Sequence, residues 1–191
     1  MLQHIKTSIT ALIIFTVICG IIYPLIVTAL AQVLFHNQAQ GSLIYSKEGK
    51  VLGSTLIGQN FNDPKYFWGR LSATSPAYNA SFSSGSNLGP SNPALIDEVK
   101  GRVSALKAAD PNNTHPVPVD LVTSSGSGLD PHISLAAAYY QMSRVAKVRG
   151  ISRKTVKAMV DQNTNGRFLG LLGEPVVNVL RLNLALDNYK K

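Results

Sequence analysis

The stretch that decides the fold reads ITALIIFTVICGIIYPLIVTALAQVLF and occupies residues 9–35. It carries no charged side chain, and the nearest charged side chains on either side are Lys6 and Lys47. A helix needs roughly 20 apolar residues to cross about 30 Å of hydrocarbon, so this stretch can span a membrane with some tilt. Gly20 and Pro24 interrupt it, and membrane helices tolerate both residues. The sequence therefore predicts a short tail at residues 1–8 and a transmembrane helix at residues 9–35.

A cleaved secretory signal peptide is the alternative interpretation of the same stretch. Ala29, Leu30 and Ala31 form the A-x-A pattern of a cleavage site. Signal peptides, however, have an apolar region of about 7–15 residues, whereas about twenty apolar residues precede this site. Apolar residues also continue beyond the site as far as Phe35. We therefore expect an uncleaved anchor.

Charge constrains the class of partner. The formal net charge is +8, and every basic residue except Lys6 lies beyond the apolar stretch. Such a domain favours acidic proteins or anionic lipid head groups. Nucleic-acid binding is not expected, because the chain is membrane-anchored and has no known recognition motif. Six basic residues without an intervening acid form either a solvated face across two helices or a partner or membrane surface: Arg144, Lys147, Arg149, Arg153, Lys154 and Lys157.

Short apolar runs and a long polar loop follow the span. Residues 43–45 and 51–57 flank a glycine-containing turn, a pattern that predicts a β-hairpin. An aromatic cluster comes next and is expected in the core: Phe61, Tyr66, Phe67 and Trp68. Residues 72–93 are rich in Ser, Asn, Gly and Pro, so no regular element is expected there. Because long irregular runs are often functional, this loop is a candidate partner surface, with Ser83, Gly85, Ser86 and Asn87 at its centre.

The first helix of the soluble part is predicted between Asn92 and Asp110. Asn92 can cap this helix, Pro93 fits its first position, and apolar residues recur on one face. A second polar loop follows the helix. A short strand is then expected around residues 119–122.

Three further helices are predicted in the C-terminal part of the chain. Asp130 and Pro131 repeat the cap-then-proline pattern and open a helix that Gly150 stops. Ser152 can cap the next helix, and Pro175 opens the last one. Residues 36–191 are therefore predicted to form one soluble domain. The predicted fold class is one N-terminal transmembrane helix followed by a single α+β soluble domain, with more helix than strand.

No residue pattern predicts catalysis or a bound metal. The four histidines lack the spacing of a zinc site, and His132, two residues after Asp130, is expected to be structural. A membrane-anchored or secreted hydrolase that acts alone through Ser127 or His132 is the alternative function. The serines, however, lack the G-x-S-x-G pattern of a nucleophile elbow. We therefore expect neither catalytic residues nor metal ligands.

Residues 124–128 come nearest to a phosphate-binding loop. Small residues let backbone N–H groups approach an anion, and a predicted helix follows at once. The loop has no lysine and no G-x-x-x-x-G-K-[ST] pattern, and Asp130 adds a negative charge beside it. It is either a weak anion or nucleotide site or a tightly packed helix start. Its residues are Ser124, Ser125, Gly126, Ser127 and Gly128.

A stripe of small and polar residues recurs every four positions along the predicted span. Helices associate in lipid through small residues and interhelical hydrogen bonds. The stripe therefore favours a partner helix over an ordinary lipid-facing helix. This candidate partner-helix face consists of Thr16, Gly20, Pro24, Thr28 and Gln32.

Seven segments of the chain carry a family resemblance. They are residues 54–61 (STLIGQNF), 66–70 (YFWGR), 85–93 (GSNLGPSNP), 117–123 (VPVDLVT), 127–134 (SGLDPHIS), 173–180 (GEPVVNVL) and 182–187 (LNLALD). In this order and behind a single span, the chain resembles KdpC, the C subunit of the bacterial Kdp potassium-transporting ATPase. The family often has other residues where this chain has Leu71, Val176 and Arg181, which affects local surface chemistry only.

The resemblance implies a non-catalytic accessory subunit of a high-affinity, ATP-driven potassium uptake complex. The implied partners are a KdpA-like channel subunit, a KdpB-like P-type ATPase subunit and a small KdpF-like peptide. In agreement, the chain has no D-K-T-G phosphorylation motif and no selectivity-filter sequence such as T-V-G-Y-G. No tightly bound cofactor is expected, and ATP would act through the complex.

The side of the membrane on which the soluble domain lies decides between two roles that the family resemblance implies. The C subunit has been described as a catalytic chaperone that raises the ATP affinity of the B subunit, which requires access to cytosolic ATP. The family architecture instead implies a single-pass protein of the inner membrane, with a cytoplasmic N terminus and the soluble domain outside. Charge does not decide the question, because Lys6 is nearly balanced by Lys47 and Lys50. We expect the outside location and a role in stabilising the assembly.

Overall fold

The N-terminal unit of the protein is one long apolar helix. A computed structural model describes residues 1–189, so the last two residues of the domain predicted at 36–191 lie outside the described part. The helix spans Leu2–Leu34, and its most apolar part has a mean hydropathy of 2.5. None of that part is buried by the rest of the chain. The predicted single N-terminal transmembrane helix is confirmed. It begins before residue 9 because residues 2–8 continue the same helix.

Proline explains the irregular middle of this helix. Helix α1 (Leu2–Val17) passes into a π-helical segment (Ile18–Ile22) and then into α2 (Tyr23–Leu34). Pro24 has no N–H to donate to the carbonyl of Gly20, so the α-helical bonding pattern cannot continue there. A π-helical turn lets the hydrogen bonding resume one residue later. The short helix α3 (His36–Ala39) completes the unit, which spans Met1–Leu43.

Two small sheets occur in the rest of the described residues. Strands β1 (Leu43–Tyr45) and β2 (Val51–Ser54) form the predicted hairpin, with β2 ending before residue 57. Strands β3 (His132–Ser134), β4 (Thr164–Asn165) and β5 (Val176–Asn178) form an antiparallel sheet with β5 in the middle. Ile133 of β3 and Thr164 of β4 both lie opposite Val177 of β5. No named element lies between β2 and Pro93, as predicted for residues 72–93.

Four helices lie in the described part of the soluble domain. They are α4 (Pro93–Ala109), α5 (Leu135–Arg149), α6 (Arg153–Gln162) and α7 (Val179–Asn188). A side chain caps the N terminus of each, and the caps are Asn92, Ser134, Ser152 and Asn178. Gly150 ends α5 in the left-handed conformation, with φ of 62°. The predicted signals at Asn92, Ser152 and Gly150 are confirmed.

The helix starts predicted at Asp130 and Pro175 are wrong. Asp130 Oδ1 accepts a hydrogen bond from His132 N at 2.9 Å, which is the local bond of a helix cap. The residues that follow nevertheless form β3, and those after Pro175 form β5. These two strands pair with each other, and the distant pairing overrides the local helix signal in both places. Each helix begins only after its strand.

The strand predicted around residues 119–122 is also wrong. Residues Val119–Leu121 form a single 3₁₀ turn. The carboxylate of Asp120 accepts hydrogen bonds from Ser134 N at 2.7 Å and Ser134 Oγ at 3.1 Å. The β-branched residues resemble a strand, but no strand in the described residues pairs with them. The turn instead supports the junction between β3 and α5.

Helix α5 forms the centre of the hydrophobic core. It buries side chains on most of its surface and packs against α6, while β3 and β5 adjoin its N-terminal end. The largest fully buried apolar residues are Phe67, Leu106, Leu121, Ile133, Val145, Val156, Val160, Val177 and Leu182. Helix accounts for 49% of the described residues and strand for 10%, which confirms the predicted α+β class with more helix than strand.

Candidate functional site

The two loops singled out from the sequence lie against each other. Ser83 Oγ and Ser84 N both donate hydrogen bonds to the carbonyl oxygen of Ser127, each at 3.0 Å. Gly85 lies so close to Gly126 that an added Cβ would approach its carbonyl oxygen to 2.9 Å. The candidate partner loop and the weak anion loop therefore form one surface. Ser83 and Asn87 are exposed on it, and Ser86 is half-buried.

A charged pair holds the base of this surface. Arg70 Nη1 contacts Asp130 Oδ2 at 3.1 Å, and Arg70 Nη2 donates to the carbonyl of Ser124 at 3.1 Å. Asp130 Oδ1 also lies 3.5 Å from His132 Nδ1. Burial alone would raise the pKa of Asp130, but hydrogen bonds from His132 and Arg70 outweigh it and hold that pKa below its usual value. Asp130 is therefore an ionised structural residue at neutral pH.

Part of the hydrogen-bonding capacity in and beside residues 124–128 is already used. Ser125 N donates to Leu71 O at 3.3 Å, Gly128 N to Ser125 O at 3.2 Å, and Leu129 N to Ser127 Oγ at 3.1 Å. Strand β3 follows the loop instead of the predicted helix, so the positive end of a helix dipole is missing. The helix expected after the loop, one premise of the phosphate-binding hypothesis, is therefore absent. Anion or nucleotide binding at Ser124, Ser125, Gly126, Ser127 and Gly128 stays an untested prediction.

Side-chain amides hold the aromatic segment, residues 66–70, in the core. Gln141 accepts from Trp68 N at 2.8 Å and donates to Trp68 O at 3.1 Å. Asn183 does the same for Phe67, accepting from its N–H and donating to its carbonyl oxygen, both at 2.9 Å. Each amide supplies the hydrogen-bond donor and acceptor that a neighbouring strand would supply to a buried segment. The predicted core position of Phe67 and Trp68 is confirmed, since they are 0% and 6% exposed.

Two guanidinium groups pack against the ring of Trp68. Arg144 lies 4.8 Å and Arg102 lies 5.0 Å from the ring centroid. Arg144 also donates to the carbonyls of Pro64 and Tyr66 and to Gln141 Oε1. Burial lowers the pKa of Arg144 to about 10, which keeps it charged at neutral pH. The buried charge is thus satisfied by carbonyl oxygens and an aromatic face.

The basic cluster between residues 144 and 157 is only partly exposed to solvent. The interpretation of the cluster as a solvated face is therefore wrong for some of its members. Arg144 is 3% exposed. Arg149 contacts Asp187 at 2.7 Å and stacks on Tyr66 at 4.9 Å. Lys157 contacts Asp161 at 2.8 Å. The exposed members of the cluster are Lys147, Arg153, Lys154 and Lys157.

The stripe in the apolar helix surrounds its π-helical segment. Gly20 lies within that segment, and Thr16 and Pro24 lie on either side of it. An added Cβ at Gly20 would contact only Thr16 Cγ2, at 3.9 Å. Further along the helix, Gln32 Oε1 accepts a hydrogen bond from Gln40 Nε2 at 3.0 Å. The chain itself therefore leaves room for a neighbouring helix at Gly20.

The described residues contain no arrangement suited to hydrolysis or metal binding. No group of three or more His, Cys, Asp or Glu side chains within residues 1–189 is placed to hold a metal ion. The hydroxyl of Ser127 accepts from Leu129 N, while His132 contacts Asp130 and Asn178. No hydrogen bond in this part of the chain joins Ser127 to His132, so neither residue is activated as in a nucleophile–base pair. The geometry offers no support for the stand-alone hydrolase.

Sequence reasoning missed the polar residues of the interior. They are Arg102, Gln141, Arg144 and Asn183, and each binds backbone groups of residues 64–69 or the ring of Trp68. A usable signal was present, because Gln141 and Asn183 stand among residues that their helices bury. A polar residue on a buried face needs a partner.

Comparisons with known proteins identify the family. The model of the family described as KdpC, K+-transporting ATPase, c chain, matches residues 5–188. The potassium-transporting ATPase KdpC subunit of Methylococcus capsulatus is 62% identical over 188 residues, which cover 98% of each chain. The protein of the same name from Sorangium cellulosum is 60% identical over 191 residues and 100% of each chain. That from Herpetosiphon aurantiacus is 59% identical over 186 residues, or 97% of this chain and 96% of the relative.

Proposed function

The chain belongs to the KdpC family of K⁺-transporting ATPase subunits, and we propose that it acts by stabilising the assembly of the other subunits. It is an accessory subunit of the Kdp complex, whose catalytic activity lies in KdpB. The observation that carries the proposal is the match over both the apolar helix and the soluble domain. A subunit without motor or pore motifs contributes through contacts, and these support ATP-coupled K⁺ transport.

The proposed partners are a KdpA-like channel subunit, a KdpB-like P-type ATPase subunit and a KdpF-like small peptide. The apolar helix supports this proposal because the rest of the chain buries none of its most apolar part. Its stripe of Thr16, Gly20, Pro24, Thr28 and Gln32 places small and polar side chains along the helix. The exposed residues of the Ser83–Asn87 surface supply a second, polar contact in which water can bridge the partners.

Purification from native membranes in mild detergent tests the assembly role. The tagged chain should retain the channel-like and ATPase subunits together with K⁺-stimulated ATP hydrolysis. Gly20→Leu should lower their recovery, because the larger side chain meets little within this chain but blocks a closely packed helix. Ala11→Leu is the matched control, since it lies on roughly the opposite side of the helix. Equal recovery with both variants would contradict the partner-helix face, and absence of co-purifying subunits with the unmodified chain would contradict the assembly role.

The proposed location is the bacterial inner membrane, with a cytoplasmic N terminus and the soluble domain outside. One N-terminal apolar helix fits a single-pass protein of a K⁺ transporter. A Ser83→Cys variant tests the side, because Ser83 is exposed and the only native cysteine, Cys19, lies in the apolar helix. The new thiol should react in intact cells with a reagent that crosses only the outer membrane, and the unmodified chain should not react. Reaction only after the inner membrane is broken would place the domain in the cytoplasm.

ATP is proposed to act only through the complex and to bind this chain weakly or not at all. Three N–H groups in and beside residues 124–128 already have acceptors within the protein, and Asp130 repels phosphate. Calorimetry on residues 37–191 should therefore detect no tight nucleotide binding. A dissociation constant of micromolar order, roughly −8 kcal/mol, would contradict this and support the catalytic-chaperone description for the chain itself.

A further inference from the structure

A small cavity lies in the soluble domain between residues 59–62, residues 69–78 and helix α4. Its volume is about 140 Å³, and its polar lining consists mainly of Gln59, Asn60, Asn62, Arg70, Tyr78 and Arg102. Cavities that hold drug-sized ligands measure roughly 300–1,000 Å³, so this one accommodates only a small ion or a few water molecules. None of residues 124–128 lines it, and no functional assignment above uses it.

Arg102 brings a positive charge to this cavity without an acidic partner. Its Nε donates to Leu121 O at 3.0 Å and its Nη2 to Gly69 O at 2.8 Å. Within residues 1–189, its Nη1 makes no hydrogen bond and no carboxylate forms an ion pair with it. Burial lowers the pKa of Arg102, because the guanidinium has lost part of its hydration. An anion beside Nη1 would compensate this loss.

Arg70 supplies a second guanidinium with an unused donor. Its Nη1 and Nη2 bind Asp130 Oδ2 and Ser124 O. Its Nε is buried and has no hydrogen-bond partner in the described part of the chain. Buried N–H groups without an acceptor are rare in proteins, and each calls for an explanation. Because Asp130 offsets only one of the two arginine charges, the cavity wall keeps an excess of positive charge.

The rest of the lining favours an anion over a cation. No aspartate or glutamate side chain is among the described residues that line the cavity. Asn60 and Asn62 are exposed at its wall, and their amide groups form no hydrogen bond within residues 1–189. Amide N–H groups donate to anions, and guanidinium groups do so more strongly because they are charged. Exposure of the two asparagines also gives an ion access from solvent.

We propose that this cavity binds one small inorganic anion, of the size of chloride or phosphate, at Arg102 and Arg70. The bound ion offsets the excess charge and links helix α4 to the segments at residues 59–62 and 69–70. The proposal concerns the soluble domain by itself and does not depend on the proposed assembly role. The cavity is too small for a nucleotide, so it is a different site from residues 124–128.

Thermal melting of the full-length chain in detergent tests the proposal. Chloride, phosphate and sulfate are titrated separately against gluconate, a larger organic anion, at constant pH and ionic strength. At least one of the three ions should raise the melting temperature saturably. The rise should be about 3 °C or more at about ten times the dissociation constant of that ion, because only the folded chain binds it. No saturable rise with any of the three ions would overturn the proposal.

A pair of charge-matched variants locates the ion without touching the hydrogen bonds of the arginines. Asn62→Asp and Asn112→Asp each add one negative charge at an exposed asparagine, but only Asn62 lines the cavity. Asn62→Asp should remove most of the ion-dependent rise, because a carboxylate on the wall repels an anion. Asn112→Asp should keep the rise of the unmodified chain. The same response to the ion in both variants would overturn the proposal.

Discussion

Phe67 and Phe168 both lie outside the named helices and strands, yet Phe67 is fully buried and Phe168 is 69% exposed. Their neighbours share the contrast, since Trp68 is 6% exposed and Leu169 is 79% exposed. Both segments are short, apolar and irregular. Composition alone therefore does not separate a core segment from an exposed loop.

The difference lies in how the two segments satisfy their backbone groups. In the buried aromatic segment, Gln141 and Asn183 bind the N–H and carbonyl groups of Trp68 and Phe67. In the apolar loop, residues 168–172, the backbone bonds are local: Phe168 and Leu172 bind each other, Gly170 N donates to Arg167 O, and Leu171 N donates to Phe168 O. An irregular segment enters a core only where distant side chains replace its lost contacts with water. Four mutational tests of stability follow from this contrast, from the largest expected effect to the smallest.

The direct test replaces the two phenylalanines by alanine. Phe67→Ala should lower the unfolding free energy of the soluble domain by about 3–5 kcal/mol, because it removes a fully buried ring. Phe168→Ala should change it by less than about 0.5 kcal/mol, since that ring packs on little. Urea unfolding followed by circular dichroism measures both. Equal losses would mean that the apolar loop belongs to the core.

Removal of the buried guanidinium is the second test. Arg144→Met should cost about 3 kcal/mol, because it leaves the carbonyls of Pro64 and Tyr66 without their guanidinium donor and removes one of the two donors to Gln141 Oε1. Arg153→Met is the control at an exposed position of the same basic cluster. The same urea titration compares them. A neutral Arg144→Met would show that the interior tolerates loss of its charge.

The third test removes one side-chain amide and keeps the number of side-chain heavy atoms. Asn183→Leu should cost about 2 kcal/mol, because the N–H and carbonyl of buried Phe67 both lose their partner. Asn188→Leu, at the exposed end of the same helix, should be within about 0.5 kcal/mol of the unmodified protein. Thermal melting of the two variants suffices. An unchanged melting temperature for Asn183→Leu would contradict the role given to these amides.

The smallest effect concerns pH at the end of the aromatic segment. The pKa of Asp130 is lowered in the folded protein, since the hydrogen bonds from His132 and Arg70 outweigh burial. Its stabilising contribution is therefore complete above the unfolded pKa of about 3.9 and is lost as the pH falls through the lower, folded pKa. Asp130→Asn should destabilise the domain at pH 7 and much less at pH 2.5, whereas exposed Asp97→Asn should show no such difference. A pH-independent loss would mean that the Asp130 charge contributes nothing.

Local signals predicted most of the fold correctly. The apolar stretch, the caps at Asn92 and Ser152 and the stop at Gly150 depend on neighbours along the chain, and all four are observed. The starts of α5 and α7 were wrong because Asp130 makes a cap-like bond in a turn that leads into a strand. Only the pairing of β3 with β5, more than forty residues apart, decides between strand and helix there.

The candidate surface was predicted residue by residue but not as a unit. Ser83 and Ser127 were each singled out for their small-residue loops, yet nothing in the sequence indicated the hydrogen bond between them. The apolar loop was overlooked because a short run of Phe and Leu normally lies in a core. Its exposure depends on the surrounding chain, since no side chain comparable to Gln141 or Asn183 binds its backbone.

Trp68 is the only tryptophan in the chain and lies within this polar interior. Its indole N–H donates to the carbonyl of Asp63 at 3.0 Å, while Arg102 and Arg144 pack on its ring. The intrinsic tryptophan fluorescence of the protein therefore comes from one position, at which two cations face the excited ring. Tryptophan emission therefore reports the state of the buried aromatic segment. Unfolding of this segment can thus be followed by the fluorescence of Trp68 without an added label.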